Sequence, residues 1–282
     1  MGFMNVWRLM MNKQNRLGAI VTLVLGLLGI IGTYMIFMAW FGPARFAEAA
    51  EPGCEILLGY LMPALSDFGI TAGVIFLVSS YGYYTERTWA FPASIVASAL
   101  ALQGSWFINV PMMAAGLPPI YFIVFWPNLL GFFLLVKGVG ERSWKRTLLG
   151  FGTGMAFIFC FMNGVASWSR IITIGTEIFT LVQRMNWIAS IGFFVVTIGV
   201  ILQPKEWMRV VAMCAGLLEL VVGIPIVIAT TISLGRFSLF SFGPIMAMVL
   251  SVLFIWPGIW DRLTAEGGGT GASQATALSA AD

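Results

Sequence analysis

Long apolar stretches separated by short polar steps set the pattern of this 282-residue chain. Eight such stretches are read, at about 18–41, 64–84, 89–111, 118–137, 147–166, 187–203, 207–227 and 238–260. Each is long enough to cross a hydrocarbon core of roughly 30 Å as a helix. A helical period is a weak guide here, because a helix among lipid and other helices can be apolar all round. The alternative spanning form, a β-barrel, requires alternation over strands of about 10 residues, and runs such as 18–41 do not alternate. The pattern predicts an all-α integral membrane protein with eight transmembrane helices.

Punctuation within the stretches repeats. Trp89, Pro111 and Pro127 recur as Trp207, Pro225 and Pro244, at separations of 118, 114 and 117 residues. Each Trp follows a charged step, Thr85-Glu86-Arg87-Thr88 or Pro204-Lys205-Glu206. Glu55-Ile56 and Glu177-Ile178 open apolar stretches at matching places, after outer loops longer than the even-numbered turns. Both loops are expected to carry a short helix on or in the outer leaflet. The pattern predicts two four-helix repeats entering the membrane in the same direction, and so related by an axis along its normal. Chance similarity among apolar segments is the competing account.

Charge orients the bundle. The N-terminus, the even-numbered loops and the C-terminus hold Arg8, Lys13, Arg16, Arg87, Lys137, Arg142, Lys145, Arg146, Lys205, Arg209 and Arg262. The opposite side holds only Arg45, Arg170, Arg184 and Arg236. An excess of Lys and Arg marks the cytoplasmic side, which puts both termini in the cytoplasm of a plasma (inner) membrane. The expected organisation is an interfacial segment over 1–17, a first repeat over 18–137, a linker over 138–146, a second repeat over 147–262 and a disordered tail over 263–282. Ala47-Glu48-Ala49 resembles a signal-cleavage site, but the preceding run is too long for a usual signal core and pairs with the fifth span. An uncleaved first span is expected.

Composition narrows the chemistry. The chain is 59% hydrophobic and 10% charged, with mean hydropathy +0.93. It has no histidine, and Cys54, Cys160 and Cys214 form no paired motif. Metal, haem, Fe–S and histidine-based chemistry are therefore not expected, nor is any cofactor. No basic stripe with interleaved aromatics points to nucleic acid. Gly150-Phe-Gly152-Thr-Gly154 lacks the Lys-Ser/Thr of a phosphate loop. Together with Gly26, Gly29 and Gly32, it is expected to allow close helix packing.

Polar residues inside the stretches are the candidate site. Glu219 lies about 18 Å along its helix from Trp207, and a charge there costs roughly 2.5–3.5 kcal/mol, so it should face other helices. Its partner is expected to be an amide such as Gln103 or Asn163. Asn109 and Asn128 extend a polar streak toward the outer half, with Trp106 and Trp126 as lining residues. Pro111, Pro127, Pro225 and Pro244 are expected to kink helices around a pocket between the repeats; ordinary kinks are the plainer account. Asp67 is expected to cap the start of the second span. Most other tryptophans fall at span ends, as in an aromatic belt.

Three functions fit. The first is binding or transport of a small apolar or amphipathic molecule in a pocket between the repeats, with membrane lipid as the surroundings. The second is a non-catalytic subunit with protein partners in the membrane. The third is a lipid-modifying enzyme using Glu55, Asp67 or Glu177, for which no nucleophile motif exists. No motif ties the chain to a family, and an enzyme is the less favoured reading.

Overall fold

Asn12 opens the first helix by accepting a hydrogen bond from the Gln14 amide at 3.2 Å, the usual service of a short polar side chain at a helix start. In the computed structural model, residues 12–46, 54–174, 177–235, 237 and 239–265 are described. They form helices and no strand. Seven helical segments are long and apolar enough to cross a membrane: Lys13–Arg45, Leu58–Tyr84, Ala90–Ala114, Phe122–Val139, Trp144–Trp168, Phe179–Leu202 and Glu206–Ile232. Leu239–Ile255 and Gly258–Thr264 reach that length only together, across a bend of 102°, and make an eighth if the bent pair is one span. These are called spans 1 to 8. On span 1 the exposed side chains include Ile20, Leu23, Leu27, Ile31, Tyr34 and Met38. Their three- to four-residue spacing makes an apolar stripe that only a non-aqueous neighbour would leave uncovered.

Helices run further than the apolar runs alone implied. The first begins at Lys13, so residues 13–17 belong to span 1 rather than to a separate interfacial segment. Helix Cys54–Tyr84 starts well before 64, and Trp144–Ile174 is followed at once by Glu177–Leu202. The fifth loop is thus short, and the stretch expected as a separate surface helix there is an extension of span 6. Asp67 lies mid-helix and exposed, so it caps nothing. The side chains of Glu55, Arg170 and Glu177, residues 1–11 and the tail from 266 lie outside the described residues. The linker shrinks to residues 140–143, because helix resumes at Trp144. The last helix, Pro257–Thr264, carries Trp260 onto Phe254 at 5.6 Å between ring centres.

Neighbours in sequence are neighbours in space, as short loops require. Span 1 packs on 2, 2 on 3, 3 on 4, and 4 closes back on 1; spans 5, 6, 7 and 8 make the same ring. The rings meet where span 3 lies on span 6 and the end of span 4 on span 5. Glycine lets the backbones of spans 1 and 2 touch: a Cβ on Gly29 would sit 2.9 Å from the Gly73 Cα, and one on Gly73 2.8 Å from the Ile30 amide nitrogen. Gly150 makes room for the Ile201 side chain of span 6. These are packing contacts, not a phosphate cradle.

Cations at the end that carries Lys13 and Thr264 close helix ends. Arg146 is 2% exposed and donates through Nε to the Val200 carbonyl at 2.5 Å. Arg142 donates to the Leu202 carbonyl at 3.2 Å. Arg209 donates to the Phe254 carbonyl at 2.6 Å and the Ile255 carbonyl at 2.8 Å, and pairs with Glu206. The last carbonyls of a helix have no donor of their own, and a cation there also opposes the helix dipole.

Candidate functional site

Helix Glu206–Leu234 carries Glu219 near its middle, where a side chain must face either lipid or the bundle. Gly216 and Gly223, at i−3 and i+4, share its face and remove the bulk that would hold span 8 away. Gly243 completes the approach: a Cβ there would stand 2.6 Å from Glu219 Oε1, and one on Gly223 would stand 2.7 Å from the same oxygen. Glu219 is consequently 0% exposed. Between the two amides expected as partners, Asn163 is the one in contact, donating through Nδ2 to Oε1 at 2.5 Å. The Cys160 thiol, one turn earlier on span 5, lies beside the same carboxyl. Glu219 Oε2 and Asn163 Oδ1 are buried without a hydrogen-bond partner.

The remaining candidates do not join this cluster through hydrogen bonds. Asn109 donates to the Ser105 and Trp106 carbonyls of its own helix at 2.8 and 3.2 Å. Asn128 donates to the Val124 carbonyl at 2.8 Å. Both are buried, with Oδ1 unpartnered. Gln103 is also buried, and neither end of its amide has a partner. Trp106 lies on the Gln103 face and meets Phe159 of span 5 edge to face at 5.3 Å; Phe159 stacks on Phe242 of span 8 at 5.8 Å. That aromatic row crosses from the first ring to the second beside Cys160 and Gly243. Trp126 lines no interior space: it is 60% exposed on the outside of span 4.

The prolines act differently at matched positions. Before Pro111 the helix stops at Trp106 and restarts at Asn109, so Pro111 falls in a new first turn. Pro225 lies inside an unbroken helix, and Pro127 inside Phe122–Phe133. Pro244 is the third residue of Phe242–Ile255. In a first turn the amide has no intrahelical partner, so proline there need not kink the helix. The charged steps differ too: Glu86 has φ 55°, whereas Lys205 is extended.

The expected pocket between the rings is not where Glu219 sits, because its contacts come from spans 5, 7 and 8. A cavity of about 20 Å³ does lie between the rings, among Ile95, Ala99, Leu102, Phe132, Met155 and Thr197. That is room for one water-sized occupant, and its wall is almost wholly apolar. Ligand pockets for small organic molecules are an order of magnitude larger. Among the described residues, no group of three or more Cys, Asp or Glu could hold a metal ion.

Cys160 and the three glycines are the members that sequence reasoning passed over. Their signal is present as a small residue at i−3 and i+4 from an intramembrane acid, and a thiol three residues from an amide. Compared with known families, curated proteins and solved structures, the chain matches none.

Proposed function

We propose that this multi-pass membrane protein binds or transports a small amphipathic molecule, with Glu219 engaging its polar end. One observation carries the reading: a carboxyl buried among apolar helices has one oxygen held by Asn163 and the other, Oε2, without a partner. An unpaired polar atom in such surroundings is costly, and intramembrane acids are functional candidates for that reason. In this conformation the site is closed. The common ring order of spans 1–4 and 5–8 supports a duplicated quartet, with both termini on the cytoplasmic side of the plasma membrane if span 8 crosses.

The experiment is purification of wild-type protein and Glu219→Gln in matched detergent, with mass spectrometry of co-purifying small molecules and lipids. A species present in the wild type and reduced at least about tenfold in the variant is expected, corresponding to about 1.4 kcal/mol. Identical profiles from two well-folded proteins would remove the support for this reading. A second reading, a non-catalytic subunit of a membrane complex, is favoured by the glycine-tight interior and small cavity. It predicts stable protein partners after mild solubilisation.

A further inference from the structure

The hydrogen-bond inventory at Glu219 restricts what can bind there. Asn163 gives one of its two amide hydrogens to Oε1, and the Cys160 thiol lies beside the same carboxyl. The groups left over, Glu219 Oε2 and Asn163 Oδ1, are both buried oxygens without partners. An amide carbonyl and an ionised carboxyl oxygen are acceptors, so a ligand that brings donors completes the site. Among the described residues, no Lys or Arg pairs with Glu219. The Asn163 amide and Cys160 thiol beside it are neutral, so a full positive charge would meet no competing cation from them.

The flank points the same way. Phe159 and Phe242 stack next to Cys160 and Gly243, and Trp106 stands edge-on to Phe159. Aromatic faces attract cations and also accept apolar bodies. Gly223 and Gly243 place backbone, with no side chain, directly against the carboxyl. Span 8 is the element best placed to yield room. It follows Gly235, whose φ of 62° turns the chain out of span 7, and it ends at the 102° corner before Gly258.

We infer that the site takes a protonated amine carrying a compact apolar body, its ammonium hydrogens on Glu219 Oε2 and Asn163 Oδ1 and its body against Phe159 and Phe242. This rests on the proposed binding role of Glu219 and adds the ligand class. An anionic head is disfavoured by the carboxylate, and a neutral hydroxyl satisfies one acceptor where an ammonium satisfies two.

Three probes share one body and differ only in the head: 1-adamantylammonium, 1-adamantanol and 1-adamantanecarboxylate. Binding to the full chain in phosphatidylcholine nanodiscs is measured by calorimetry, with empty nanodiscs subtracted. The ammonium probe is expected to bind at least about tenfold tighter than the alcohol, and the carboxylate not to bind. Glu219→Gln should remove that preference while retaining the alcohol. Should that variant fail to fold, Asn163→Ala is expected to weaken the ammonium selectively. Tighter binding of the alcohol or carboxylate would overturn the amine class while leaving a binding protein in place. Binding of none of the three would overturn both readings. Ammonium binding unchanged by either folded variant would place it away from Glu219 and overturn the assignment.

Discussion

Replacing Gly73 with Ala tests the backbone approach of spans 1 and 2. The added Cβ would lie 2.8 Å from the Ile30 amide nitrogen and 2.9 Å from the Gly26 carbonyl oxygen. Both are backbone atoms in a helix, so neither can swing aside as a side-chain end could. Comfortable contact begins near 3.5 Å, which requires spans 1 and 2 to part by about 0.7 Å. A radial gap of that size forfeits a quarter to a half of each contact it opens, and overpacking of this kind costs about 1–3 kcal/mol. Alanine's better helix propensity returns about 1 kcal/mol, leaving a net loss of up to about 2 kcal/mol. Gly59→Ala is the control. It lies in the same helix with nothing within 4 Å of the new atom, so it should gain up to about 1 kcal/mol. Reversible unfolding in mixed micelles, followed by the fluorescence of the eleven tryptophans, reads both. Equal stabilities for the two variants, or a Gly73→Ala protein more stable than wild type, would refute the reasoning.

Further expectations concern the helix ends and loops. Arg146→Met should lose about 1–3 kcal/mol in the same assay, because the buried Val200 carbonyl loses its charged donor; an unchanged midpoint would show that water replaces it. Tyr121→Phe should cost about 1 kcal/mol by removing the 2.9 Å hydroxyl contact with Ser66. Glu86→Gly should be neutral or gain up to about 1 kcal/mol, whereas Glu86→Val should lose stability, since φ 55° suits glycine and strains a β-branched residue. Reporter fusions after Thr264 and within the loop near residue 50 should report opposite sides of the membrane. The same side for both would show that span 8 does not cross.

Much of the scaffold was legible because lipid imposes a simple demand: backbone groups must be satisfied inside each spanning segment. Runs of apolar residues therefore located the helices, and glycines at 26 and 29 announced close packing. Helix ends were less legible. Residues 54–63 and 177–186 were expected as separate short helices at the outer leaflet and yet continue the helices of spans 2 and 6. Arg142, Arg146 and Arg209 counted as topological charges, but their job of closing the carbonyl ends of spans 6 and 8 depends on distant segments. For the candidate site, the sequence singled out Glu219 and offered Asn163 among its partners. It had no means of excluding Gln103, Asn109 and Asn128 from that contact.

By itself, then, the order of residues determined a helical membrane protein, its approximate crossings and the intramembrane acid that needs a partner. Those are local consequences of burying apolar surface and satisfying backbone hydrogen bonds. Tertiary structure alone decided which helices surround the acid. Glycine at three positions lets span 8 close over Glu219, Cys160 and Asn163 reach it from span 5, and Trp126 faces outward despite its neighbours. Side-chain direction around a helix depends on crossing angle and contact. Neither is written in the apolar pattern of a segment that is hydrophobic on every side.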